Sequence, residues 1–206
     1  MKRISVIYKI LIIIAAALGI LLQAGIAEGT FDIGSFRYFT TLSNLAVLVY
    51  YICHLAGTTN GKTRPGLRKW KFMITLSILL TGVVAHFMLR GLFADMNAAQ
   101  KLGLTFLHYV VPIAVLVDWL IFDAKGHTAK YMPLFAALFP IIYAAATMVL
   151  VHYLTQKFDY PYPFLNVITF GWKQVIINII IIAAAYLAVG YIGVGMDHLL
   201  RGRHKK

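Results

Sequence analysis

The stretch Trp172-Lys173-Gln174-Val175-Ile176-Ile177-Asn178-Ile179-Ile180-Ile181-Ile182-Ala183-Ala184-Ala185-Tyr186-Leu187-Ala188-Val189-Gly190-Tyr191-Ile192-Gly193-Val194-Gly195 carries a single charge, on Lys173. About 20 apolar residues in a helix cross the hydrocarbon core of a bilayer. Inside that core only a helix or a closed barrel pairs every backbone N–H and C=O, so so long an apolar run predicts a membrane-spanning helix. Five more stretches of the same kind lie upstream: Ile4–Ala27, Phe36–Leu55, Trp70–Leu89, Gly103–Ile121 and Tyr131–Tyr153. The connections are short and rich in Gly, Pro and charge, as in Thr58-Thr59-Asn60-Gly61-Lys62, Asp123-Ala124-Lys125-Gly126 and Asp159-Tyr160-Pro161-Tyr162-Pro163. The chain of 206 residues, 61% apolar and 13% charged, therefore reads as one all-α transmembrane domain of about six helices, with no separate soluble domain.

The formal charge of +12 does not point to nucleic acid, because the basic residues flank the apolar stretches. With a cytoplasmic N-terminus, the cytoplasmic segments hold Lys2, Arg3, Lys9, Lys62, Arg64, Arg68, Lys69, Lys71, Lys125, Lys130, Arg201, Arg203, Lys205 and Lys206. The other side holds Arg37, Arg90, Lys101, Lys157 and Lys173, so the positive-inside rule places both termini in the cytoplasm. Trp70, Trp119, Tyr131 and Trp172 fall near span ends, where amphipathic rings sit at the interface. Lys2-Arg3 followed by an apolar run ending in Gly25-Ile26-Ala27 also imitates a signal peptide, but the run is long for one, and a retained helix is expected. Small residues four apart, Ala15 with Gly19 and Ala184 with Ala188, predict close helix packing. The single cysteine, Cys53, excludes an internal disulfide.

Polar and ionisable groups within spans are costly and mark sites when they face the bundle interior. Thr40, Ser43, Asn44, Val47, Tyr51 and His54 follow offsets of one helical face. His86, His108 and His152 fall near the same end of their spans as Thr40, since alternate spans run in opposite directions. Pro112, on the face of His108, frees a backbone carbonyl and loosens the helix. Asp118 lies toward the other end, at the depth of His54, and these two are expected to form a second polar pair.

No Gly-x-Ser-x-Gly elbow, His-Glu-x-x-His or phosphate-cradling glycine loop is present. A hydroxyl nucleophile needs a base within hydrogen-bond reach, and Thr40 with His108 supplies such a pair. Asn44, one turn along from Thr40, is expected to donate to a developing oxyanion, with Ser43 supporting. Thr41 takes the nucleophile's place if the helix is rotated by one residue. Asn44 and Asn178 also read as interhelical glue. A different chemistry, a metal held by His86, His108 and His152, lacks a paired His-x-x-x-His to support it. A non-enzymatic reading, a small transporter or accessory protein, would line a polar path with Asn44, His54, Asp118 and His152.

Phe36-Arg37-Tyr38-Phe39-Thr40-Thr41-Leu42-Ser43-Asn44 resembles the aromatic-basic-aromatic-hydrophobic-Thr segment of the family of androgen-induced and androgen-dependent TFPI-regulating proteins. His108 through Asp118 is similar to that family's histidine followed by an apolar stretch and an acidic residue, and Tyr162-Pro163-Phe164-Leu165 to its Tyr-Pro-Phe-Leu. Order and spacing agree along nearly the whole chain, which looks like a bacterial branch. Ser43-Asn44 and shorter, more basic loops depart from the animal proteins. The resemblance implies a multi-span threonine hydrolase of fatty acid esters of hydroxy fatty acids, with Thr40 as nucleophile and His108 as its partner. The expected partners are then membrane lipids and a lipid ester substrate, with no cofactor, no metal and no nucleic acid, in the bacterial cytoplasmic membrane.

Overall fold

A computed structural model describes residues 2–57, 65–93, 96–154 and 159–201. The connection at 58–62, several terminal and loop lysines and arginines, and the side chain of His152 lie outside what it describes. The described residues contain helices and no strand. They run α1 (Lys2–Gln23), α2 (Phe39–Gly57), α3 (Pro65–Val84), α4 (Ala98–Thr105), α5 (Val111–Phe122), α6 (Met132–Leu154) and α7 (Val167–Leu199). A π-helical turn, Ala85–Leu89, extends α3, and another, Phe106–Val110, joins α4 to α5. Helices α4 and α5 with the turn between them make one span, Ala98–Phe122, so six segments are long and apolar enough to cross a membrane. The expected multi-pass all-α architecture is thus present.

Boundaries differ from expectation where local chemistry intervenes. Helix α4 starts five residues earlier than the apolar pattern, because Asn97 and Gln100 form a reciprocal cap: each side chain accepts the other's backbone N–H. In α7 the first turn, capped by Asn166, is broken at Gly171 (φ 71°, ψ 161°), a conformation that only glycine adopts readily. The expected start of the last span at Trp172 coincides with that break.

Close packing also departs in part from the small-residue pattern. Gly19 does sit in a tight crossing, its would-be Cβ 2.7 Å from Leu107, and Gly103 meets Leu22 at 2.9 Å. Ala184 and Ala188 instead lie exposed on the outside of the bundle, and it is Gly190 of α7 that admits Pro133 and Leu76. Trp119 is likewise no interfacial belt residue. It is buried, with the Lys125 ammonium 4.1 Å from its ring centroid and donating to its backbone carbonyl.

Lys9 and Lys71, counted above among the cytoplasmic charges, are buried. Both helices begin before these residues, so each lysine lies at least one turn inside its span. Their ammonium groups converge on Asp118. Lys9 Nζ is 2.7 Å from Oδ1, while Lys71 and the Tyr51 hydroxyl (2.8 Å) share Oδ2. The expected partner of Asp118, His54, is therefore replaced at the carboxylate by residues of α1, α2 and α3. His54 is half-buried, its ring against Tyr50. Buried charge is tolerated only when paired and hydrogen-bonded, and this cluster ties four helices together at one end of the bundle. At the same end, Asp197 of α7 accepts the N–H groups of His127 and Thr128 and pins the α5–α6 connection.

Candidate functional site

At the opposite end, a short helical turn at Ile33–Arg37, started by Asp32 accepting from Gly34 N–H (2.8 Å), gives way to extended Tyr38, and α2 begins at Phe39. Phe39 anchors this entry against the rings of Phe139 and Tyr143, each 5.2 Å away. Thr40 is thus in the first turn of α2, where backbone N–H groups have no intrahelical acceptor. Its own N–H donates to the Tyr162 hydroxyl (3.2 Å). Thr40 is 7% exposed, and its Oγ1 lies 3.1 Å from His108 Nε2 and 3.3 Å from Tyr162 Oη.

Pro112 explains how His108 reaches this position. Proline cannot donate to the carbonyl four residues back and its ring crowds that carbonyl, which here belongs to His108. The helix relaxes into the π-helical turn Phe106–Val110, in which Val111 N–H donates to Phe106 O. That register leaves the Leu107 carbonyl without its usual i+4 donor, and Asn44 of α2 supplies one (3.2 Å). Gly82 of α3 completes the fit, since a Cβ there would lie 2.8 Å from the His108 carbonyl oxygen. The imidazole, 4% exposed, stacks on Phe93 with centroids 5.6 Å apart.

The hydrogen-bond order follows from which partners can only accept. His108 Nδ1 is 3.1 Å from the Leu104 carbonyl oxygen, so in the neutral ring Nδ1 carries the proton and Nε2 accepts. Thr40 then donates its hydroxyl hydrogen to Nε2, and the Tyr162 hydroxyl, already accepting from Thr40 N–H, donates to Thr40 Oγ1. Burial raises the pKa of Tyr162 above its ordinary value, which keeps its hydroxyl a donor.

The expected supporting residues take other roles. Asn44, fully buried, commits its amide hydrogens to the Thr40 and Leu107 carbonyls, so it braces the histidine's helix and has none left for an oxyanion. Ser43 donates back to the Phe39 carbonyl within its own helix. Thr41 is buried beside the site, but the hydroxyl against the imidazole is that of Thr40. His86 is exposed in the other π-helical turn, edge-on to Phe87 and Tyr109, in surroundings different from those of His108. Among the described residues no three His, Cys, Asp or Glu side chains gather as a metal site requires. Tyr162, quoted above only for its motif, is the site residue the sequence did not single out.

Two cavities meet at Thr40, Tyr162 and Leu89, which line both. The first, about 240 Å³, is walled almost wholly by apolar side chains of α3, α6 and α7, among them Leu80, Val84, Pro140 and Ile182. Its lining includes Leu134 and Ile141 of α6, each 55% exposed, so along α6 its wall reaches the outside of the bundle. The second, about 170 Å³, contains His108 and is lined by Gln23, Tyr38, Thr41, Phe93, Met96 and Pro161 among others. Compared with family models, with curated proteins and with solved structures, the chain finds no match, and the resemblance drawn above rests on its motif residues alone.

Proposed function

We propose that the protein is an intramembrane hydrolase of lipid esters with Thr40 as nucleophile and His108 as base. The observation that carries this reading is the buried Thr40 Oγ1–His108 Nε2 contact at the meeting point of two cavities. Thr40 Oγ1 attacks the ester carbonyl carbon as its proton passes to Nε2. As Oγ1 attacks, the tetrahedral oxyanion takes over the Tyr162 O–H, which at rest donates to Oγ1, and the Thr40 N–H, which at rest donates to Tyr162 Oη. Collapse breaks the bond to the alkoxy oxygen, which takes the proton from Nε2 and leaves as the alcohol. A water then gives its proton to Nε2, its oxygen attacks the acyl-threonine carbonyl, and the acid departs as Oγ1 regains its hydrogen. The apolar cavity, walled in part by exposed residues of α6, suits an acyl chain arriving from the bilayer. With both termini cytoplasmic, as the distribution of Lys and Arg favours, the site faces the outer leaflet, and a bacterial cytoplasmic membrane is the setting this reading adopts.

Labelling with a fluorophosphonate, which needs an activated hydroxyl, tests the pair. Wild type and Thr40→Ser are expected to label, whereas Thr40→Ala and His108→Ala are not, at matched expression. A wild type that folds but does not label would defeat the hydrolase reading.

A further inference from the structure

The apolar cavity beside Thr40 is bounded along the bundle axis as well as around it. Three helices supply most of its wall. On α6 the lining runs from Ala144, next to the Tyr143 whose ring packs on Phe39, down to Leu134. On α3 and its π-helical extension it runs from Leu89 to Leu80, and on α7 from Ile179 to Leu187. These stretches cover ten, nine and eight positions, so at about 1.5 Å per residue each helix gives a depth of about 12–15 Å below the nucleophile.

Just past the last lining residues the three helices close on one another. Pro133 precedes Leu134, Leu76 lies one turn before Leu80, and Gly190 lies three positions after Leu187. A Cβ on Gly190 would stand 2.8 Å from Pro133 and 3.2 Å from Leu76, and one on Gly193 would stand 3.3 Å from the Phe72 ring. Pro133 and Leu76 are buried and do not line the cavity. The missing glycine side chains let α7 come this near to α3 and α6, so the cavity ends in a packed floor.

His108 lines the second cavity and not the first. It protonates the departing alkoxy oxygen, so the alcohol leaves on that side and the acyl chain is the part of the ester left to the first cavity. An extended chain advances about 1.2 Å per bond, since three backbone bonds of a polypeptide span about 3.3–3.6 Å. A straight acyl chain therefore meets the floor after roughly ten to twelve carbons. Carbons beyond that have to turn out across α6, where Leu134 is 55% exposed, and a chain bent that way loses contact with the cavity walls.

Resting on the hydrolase reading, we propose that the first cavity measures the acyl chain, with Leu76, Pro133 and Gly190 as a stop that selects acyl groups of roughly ten to twelve carbons.

The test offers the full chain in detergent an equimolar mixture of methyl esters from hexanoate to octadecanoate and reads the relative rates of acid release by mass spectrometry. Wild type is expected to favour decanoate and dodecanoate over octadecanoate by at least about tenfold. Leu80→Trp, which fills the cavity just above the floor, should move the optimum to shorter chains. Leu76→Ala, which hollows the floor, should move it to longer ones. A variant that merely folds poorly loses all lengths alike and cannot imitate opposite shifts. Equal wild-type rates from dodecanoate to octadecanoate, or an optimum that neither substitution moves, would overturn the stop. Binding of uncleavable methyl ketones with the same acyl chains, read by thermal unfolding, separates the two proposals. A length optimum in ketone binding that both variants shift, with no ester hydrolysed, sinks the hydrolase reading and keeps the stop. Hydrolysis without a length optimum does the reverse.

Discussion

At the residue scale, the proposed catalysis depends on a chain of three groups in which, with the imidazole neutral, the carbonyl of Leu104 leaves one proton order. The Leu104 carbonyl fixes the imidazole tautomer, the imidazole takes the Thr40 hydrogen, and Tyr162 is left to donate to Thr40 Oγ1. Removing the phenol oxygen while keeping the ring therefore isolates its role. Tyr162→Phe is expected to lower kcat by about 10²–10³-fold, the usual cost of one oxyanion donor, with little change in KM. A KM effect alone would show that Tyr162 only shapes the cavity. Thr40 and His108 were legible in the sequence, because a hydroxyl and an imidazole at one depth of an apolar bundle are few enough to pair by inspection. Tyr162 was not, since a tyrosine between two prolines in a connection reads as an interfacial ring. Only tertiary packing turns its hydroxyl onto α2.

At the element scale, the site depends on a helix that does not stay regular. Pro112 was visible in the sequence as a loosened helix. Its consequence, a π-helical turn that offers the Leu107 carbonyl to Asn44, needed the neighbouring helix to be seen. Asn44 thus misled as an oxyanion donor because its stripe was right and its partners were unknown. Two substitutions test the arrangement in opposite directions. Pro112→Ala restores the missing N–H and favours a regular turn, where each residue advances by about 100°. Fluorophosphonate labelling should drop through a displaced His108 while thermal stability is kept or raised. Gly82→Ala places a methyl 2.8 Å from the His108 carbonyl oxygen, a backbone atom with little room to yield. It should lower both labelling and the thermal midpoint, and full labelling at wild-type stability would show that the close approach is dispensable.

For the whole molecule, two polar centres divide the bundle between them. Tyr51 lies eleven positions along α2 from Thr40, about 16 Å of helix. One end carries the candidate chemistry and the other the Lys9–Asp118–Lys71 cluster that joins the helices. The six spans were legible because bilayer thickness sets apolar length directly. The buried lysines were not, because a count of charges beside apolar runs has no information on depth. Asp118→Ala leaves the buried Lys9 ammonium without a counter-ion and Lys71 with only Asp123, 4.0 Å away, and should destabilise the protein by about 3–5 kcal/mol. The triple change Lys9→Met, Lys71→Met, Asp118→Leu should recover much of that loss in detergent thermal unfolding, whereas no recovery would argue for a role beyond holding the fold.

The proposed hydrolysis requires an acyl-threonine at position 40, which peptide mass spectrometry after brief incubation with a long-chain ester and acid quenching detects. An added acyl mass is expected on Thr40, absent in Thr40→Ala and accumulating when the deacylating water step is slowed by low water activity. Ester hydrolysis with the acyl mass on Thr41, or with no acylated residue under those conditions, would contradict it.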